Sequence, residues 1–155
     1  MTPPEALLDD TDKAILNRIQ SDFPITSRPY LAVADELGIT EDEVLERISR
    51  LKKEGIIRRI GGNFVPDKLG YVSTLCAAKV SEEKIEQFAD VVNRYPGVTH
   101  NYRRDNSFNI WFTFIAPSMQ EIEQNLKEIS EQTGISEILN LPATRVFKIR
   151  AQFDV

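Results

Sequence analysis

Ser81-Glu82-Glu83-Lys84-Ile85-Glu86-Gln87-Phe88-Ala89-Asp90-Val91-Val92-Asn93-Arg94-Tyr95-Pro96-Gly97 is the stretch from which the fold can be read. Ile85, Phe88, Ala89 and Val92 fall at i, i+3, i+4 and i+7, a single apolar stripe on a helix. Ser81 stands where an N-cap belongs, and Pro96-Gly97 stops the pattern. Before it, Tyr71 to Val80 is β-prone. After it, Val98 to Arg104 and Phe108 to Ile115 are strand-like, joined by Asp105-Asn106-Ser107, a turn-rich link that suits a hairpin. Ser118 and Glu121 make a capping box for a second helix, with Met119, Ile122, Leu126 and Ile129 on one face as far as Gly134. Ile135 to Leu141 and Arg145 to Phe153 supply the last extended segments. Strand-helix-strand-strand-helix-strand is the ferredoxin-like order, so the second half is predicted to be a βαββαβ domain.

Toward the N-terminus the period changes to helices alone. Asp10 or Thr11 is placed to cap a helix carrying Ile15, Leu16 and Ile19, which Ser21-Asp22-Phe23-Pro24 breaks. Pro29 opens a short second helix that Gly38 ends, with Leu31, Ala34 and Leu37 on one face. Thr40 and Glu43 read as a capping box for a third, with Val44, Ile48 and Leu51 on one side and Gly55 beyond it. Ile56 to Val65 is an apolar run around Gly61-Gly62-Asn63 and reads as a small hairpin or wing. The fold class is therefore α+β: a winged helix-turn-helix over residues 1–66, then the ferredoxin-like domain over 67–155, with Pro66-Asp67-Lys68-Leu69-Gly70 as the boundary.

Composition narrows the function. No apolar run approaches the roughly 20 residues of a membrane helix, and the start of the chain has no basic, apolar secretory leader, so a cytoplasmic protein is expected. The one cysteine, Cys76, has no disulfide partner within the chain, and one Cys with one His, His100, excludes an internal Cys/His zinc site. The net charge is −5, and both halves are acidic: nine basic against twelve acidic residues up to position 66, ten against twelve after it. That is a poor electrostatic footprint for duplex DNA.

The least ordinary segment runs from Gly97 to Thr113 and holds the sole His and the sole Trp. Strand parity puts His100, Tyr102 and Arg104 on one face, and Asn109, Trp111 and Thr113 on one face of the next strand. Should the two faces coincide, they line one surface with an imidazole, a phenol, a guanidinium, an amide and an indole. Such a set suits a large flat ligand with anionic edges, since Arg grips carboxylates in bidentate fashion, Trp offers a stacking plane and His carries protons or ligates metal. An architectural reading stands beside it, in which Trp111 and Tyr102 pack as sheet residues and His100 satisfies a hydrogen bond.

The architecture resembles the Lrp/AsnC regulators, whose second domain binds amino acids and oligomerises. Its third helix, however, opens Thr40-Glu41-Asp42-Glu43, where a recognition helix presents basic and amide groups to DNA. Three strings resemble siroheme decarboxylase subunits, Lrp-like proteins turned enzymes: Phe23-Pro24-Ile25 with Arg28-Pro29-Tyr30; Gly55 to Gly61; and His100-Asn101-Tyr102-Arg103-Arg104 with Asn109-Ile110-Trp111-Phe112-Thr113. The last is the most specific, and the chain looks most like the alpha subunit. This resemblance implies removal of two acetate carboxyls of siroheme as carbon dioxide on a route to haem or haem d1. It implies work as a pair with a related second subunit, and no cofactor beyond the iron tetrapyrrole substrate. It points to His100 and Arg104 as the catalytic pair, His100 as proton donor or axial ligand to the substrate iron, and Arg104 as a carboxylate clamp. Tyr102, Arg103, Asn109, Trp111, Lys148 and Arg150 follow as substrate-binding residues. A small-molecule-sensing regulator and a non-catalytic partner that completes another chain's site are the competing readings.

The acidic opening of the third helix carries a first prediction. In a fluorescence-anisotropy titration at moderate salt, the chain should form no sequence-selective complex with duplex DNA, because Glu41, Asp42 and Glu43 meet the phosphate field directly. A nanomolar, selective complex would return it to the regulators.

Overall fold

Asp9, rather than Asp10 or Thr11, starts the first helix, α1 (Asp10–Ser21). Its carboxylate accepts from the Asp12 N–H at 2.7 Å, and the Asp12 carboxylate accepts from the Asp9 N–H at 3.2 Å. This reciprocal box satisfies two of the donors that a helix start leaves orphaned. The second helix, α2 (Pro29–Leu37), begins on proline and ends at Gly38, whose φ of 68° lies in the left-handed region that glycine tolerates. In the third, α3 (Glu41–Lys53), the Thr40 hydroxyl accepts from the Glu43 N–H at 3.2 Å. The Glu43 carboxylate turns to Arg47 instead, at 3.0 Å.

The computed structural model describes residues 8–148, 152, 153 and 155. Two units are distinguished, residues up to Gly62 together with those from Lys148 onward, and Asn63–Phe147. The core of the first is Ile15, Val33, Val44, Ile48, Leu51 and Ile57. The expected hairpin over Ile56 to Val65 does not form a ladder: no strand lies there among the described residues. The N–H groups of Ile56 and Ile57 bond back to the Leu51 carbonyl at 3.0 and 3.1 Å, closing the end of α3, and both side chains join the helical core. That use of the segment leaves no partner for a strand.

Asp12 ties α1 to α3. It is 1% exposed, and its carboxylate accepts from Arg50 at 2.5 Å and Arg47 at 2.9 Å, while Arg47 also reaches Asp9 at 2.7 Å. Burial alone would push the Asp12 carboxyl up, but the hydrogen bonds from Arg50, Arg47 and the Asp9 backbone outweigh it and hold the group below its ordinary value. Two arginines of the helix that would meet DNA are thereby turned onto the protein's own carboxylates.

In the second unit, β1 (Val72–Ala78) is followed by a 3-10 turn over Glu82–Lys84 and α4 (Ile85–Asn93). Ser81 does not cap this helix; its hydroxyl donates to the Glu83 carboxylate at 2.6 Å, because the 3-10 turn separates it from α4. Then come β2 (Val98–Arg103), β3 (Ile110–Ala116), α5 (Met119–Thr133) and β4 (Ile138–Leu141). All pairs are antiparallel, in the order β2-β3-β1-β4, which is the ferredoxin-like sheet. Of the expected last segment, Arg145 to Phe153, residues 145–148, 152 and 153 form no strand and residues 149–151 lie outside the described residues; Pro142, which has no N–H for a ladder, directly follows β4. Phe112 and Phe114 pack beneath α4 and α5, Phe112 edge-on to Phe88 and Phe114 edge-on to Tyr95. Cys76 is buried in the same core, where desolvation pushes its thiol up to about 12. No described helix is long and apolar enough to cross a membrane.

The Asp12 network sets a pH-dependent stability. A carboxyl held low in the folded state stabilises the fold above its unfolded value of 3.8 and loses that contribution as pH falls through the folded value. Asp12→Asn should therefore weaken the N-terminal unit by about 1–3 kcal/mol near neutral pH, and parent and variant should converge in acid. Chemical denaturation followed by circular dichroism at pH 7 and pH 3 checks both statements.

Candidate active site

Strand β2 does not pair regularly with β3. Val98 lies opposite Phe114, yet His100 lies opposite Thr113, so Thr99 is an extra residue, a bulge. A one-residue slip exchanges the faces of a strand. With regular pairing His100 would stand opposite Phe112, on the buried helix side. The bulge turns His100 and Tyr102 to the open face, opposite Thr113 and Trp111, and sends Asn101 to the helix side, where it donates to Asn93 at 3.0 Å. The chain enters this strand through Gly97, where a Cβ would stand 2.2 Å from the Ile115 carbonyl oxygen. Only glycine allows that approach, which the Ile115 N–H to Gly97 carbonyl bond of 2.8 Å secures.

On the open face the His100 and Tyr102 rings stack at 6.0 Å and 24°, and the Thr99 hydroxyl lies 3.0 Å from His100 Nδ1. The Arg104 guanidinium stands over the Trp111 ring at 5.4 Å from its centroid, and Trp111 Nε1 donates to the Phe108 carbonyl at 2.7 Å. Arg104 lies past the end of β2, where its N–H donates to the Asn109 carbonyl at 2.8 Å and closes the hairpin. His100, Tyr102, Arg104 and Trp111 are thus neighbours on one surface, with His100, Tyr102 and Arg104 exposed and Trp111 half-buried. Leu75, Leu139 and Leu141 extend the same face across β1 and β4, each about two-fifths exposed.

The other expected residues lie elsewhere. Asn109 has its amide committed to the Val80 backbone, accepting from the N–H at 2.9 Å and donating to the carbonyl at 2.8 Å, so it braces the hairpin against β1. Arg103 points to the helix side, where a single terminal nitrogen, Nη2, donates to both carboxylate oxygens of Glu82 at 2.7 and 2.9 Å. Arg103 and Arg104 nonetheless border one polar cavity of about 390 Å³, together with Glu82, Asp105, Asn106 and Asn109. Lys148 is exposed and groups with the N-terminal unit; Arg150 lies outside the described residues. Glu82 and Thr99 had no signal in the linear sequence: an acid on a helix turn and a threonine in a strand are both ordinary. No cluster of three His, Cys, Asp or Glu side chains suited to a metal ion occurs among the described residues.

Known proteins share the fold and much of the sequence. Residues 68–148 match the AsnC-like ligand binding domain, and residues 12–58 the siroheme decarboxylase NirDL-like HTH domain. The chain is 51% identical over 146 residues to the siroheme decarboxylase alpha subunit of Desulfovibrio desulfuricans, covering 94% of this chain and 84% of that one. The crystal structure of the siroheme decarboxylase NirDL in co-complex with an iron-uroporphyrin III analogue superposes with a TM-score of 0.66 at 35% identity, over 92% of this chain and 48% of the other. Escherichia coli AsnC superposes with a TM-score of 0.79 at 19% identity, over 94% and 98%, which shows the common fold alone. Half-identity over nearly its whole length places this chain in the siroheme decarboxylase family, among its alpha subunits and within the Lrp/AsnC-like fold.

Proposed function

We propose that this chain is a subunit of a cytoplasmic siroheme decarboxylase, in which it binds siroheme and helps convert two ring acetates to methyl groups. The observation that carries the reading is the grouping of His100, Tyr102, Arg104 and Trp111 on one sheet face. In each step the bond between the acetate methylene and its carboxyl breaks, carbon dioxide leaves, and the electron pair stays on the methylene carbon. That carbon takes one proton to become a methyl group, and conjugation into the macrocycle spreads the charge until it does.

These needs suit the residue types. Arg104, held over Trp111, clamps a carboxylate in the orientation that its bidentate fork imposes. Trp111 and Tyr102 supply flat apolar surface to the macrocycle. His100, oriented through Thr99, delivers the proton or faces the substrate iron; one imidazole does not do both at once. Arg103, Lys148 and Arg150 are assigned to outer carboxylates, and Asn109 to holding the hairpin in shape. The division of labour follows residues 1–66 as scaffold and 67–155 as the binding domain.

Arg47 and Arg50 weigh against the regulator reading, because both are engaged by Asp12. The apolar row of Leu75, Leu139 and Leu141 beside the site is the surface for a related second subunit.

Two experiments test this. In the assembled complex, Arg104→Ala should weaken siroheme binding by about tenfold to a hundredfold, the range of a charge-assisted carboxylate bond. His100→Ala should cut turnover by roughly a hundredfold while binding suffers less, with an altered siroheme spectrum should it ligate iron. Anaerobic titration and product mass read both, and variants that match the parent would move the site to the other subunit. Separately, light scattering should show a dimer or larger for the chain with its partner, and Leu139→Asp should dissociate it; a monomer unchanged by any related partner would overturn the assembly.

A further inference from the structure

Arg103 already holds a carboxylate. Its guanidinium accepts no part in the open face, yet it borders the same polar cavity as Arg104, and both oxygens of Glu82 occupy it at 2.7 and 2.9 Å. The two partners are largely in water, with side chains 60% and 71% exposed, so the pair contributes little to stability and opens at small cost. Arg104, next in the chain, has its charge over Trp111 and also lines this cavity. Two adjacent arginines on opposite sides of a strand thus converge where the hairpin ends, because Arg104 lies past the last residue of β2.

We infer that Glu82 is an internal stand-in for a peripheral carboxylate of the substrate, and that Arg103 exchanges Glu82 for that carboxylate when the tetrapyrrole binds. This rests on the decarboxylase reading above. The exchange keeps a carboxylate on the guanidinium before and after, and the substrate's can take the two-nitrogen fork that Glu82, met by Nη2 alone, leaves unused; Glu82 is released to solvent, where a carboxylate is well hydrated. Glu82 is therefore a specificity residue. A ligand with one carboxylate, met by Arg104 alone, gains nothing from displacing it, whereas a tetrapyrrole rimmed with acetates and propionates engages both arginines together.

A structural ion pair and a displaceable one differ in the sign of their mutational effects. The complex of this chain with its related subunit is titrated with siroheme anaerobically, following the visible absorption. Removing the internal competitor with Glu82→Gln should tighten binding by about twofold to fivefold, the range of an exposed ion pair, while Arg103→Ala should weaken it by roughly threefold to tenfold. In an Arg103→Ala background the gain from Glu82→Gln should vanish. Glu86→Gln, an equal loss of charge on α4 at a residue that pairs with no arginine among the described residues, should leave binding unchanged. Weaker binding in Glu82→Gln, a gain that survives without Arg103, or an equal gain in Glu86→Gln each overturns the inference. A parent complex that binds no siroheme overturns the decarboxylase reading itself, and this inference with it.

Discussion

One extra residue in a strand decides which side chains share the open face of the sheet. Thr99 bulges out of β2, and every side chain after it faces the side opposite to the one regular pairing would dictate. His100 and Tyr102 come to the open face beside Trp111, while Asn101 and Arg103 turn toward the helices. Without the bulge an imidazole would stand over the phenylalanine core and Arg104 would lose its place beside the indole. Gly97 permits this entry, since any larger residue would collide with the Ile115 carbonyl. The sheet beneath is rigid because Phe112 and Phe114 pack edge-on against Phe88 and Tyr95, so the displaced side chains are held on a stiff platform.

The N-terminal unit keeps the helix-turn-helix and changes its electrostatics. Asp12 is buried between α1 and α3, and a buried carboxylate needs charged or hydrogen-bonding partners. Arg47 and Arg50 supply them, and each is also bonded to a second acid, Asp9 or Glu54. Arg28 pairs with Glu41 at the start of the same helix, and Arg18 with Glu36 between α1 and α2. Charge that a DNA reader would spend on phosphate is spent on holding helices together, which is why a familiar architecture need not bring the familiar partner.

The open face gives the proposed second subunit a physical role. His100, Tyr102 and Arg104 stand in water, where charge-assisted contacts are weak because the dielectric constant is high. The adjoining leucines are apolar and invite cover. A subunit laid over them would exclude water from the same surface and so strengthen each interaction between a guanidinium and a carboxylate.

Much of this is legible in the linear sequence where the signal is periodic. The stripe of Ile85, Phe88, Ala89 and Val92, the caps at Thr40 and Ser118, the stops at Gly38 and Gly134 and the order of strands all follow from side-chain spacing, which is local. So does the grouping of His100, Tyr102 and Arg104 by alternate positions. Tertiary structure decided the rest. Asp9 rather than Asp10 begins α1 because its partner Asp12 is fixed from α3, and Ile56, Ile57 and Ile60 of the expected hairpin pack on the helical core while Phe64 and Val65 stay exposed. Whether the two strand faces coincide depends on cross-strand register, and register is a relation between residues far apart, set by a bulge at a threonine that looks like any other strand residue. Glu82 meets Arg103 for the same reason: twenty-one positions separate them along the chain, and only packing the 3-10 turn beside the sheet brings acid and base together.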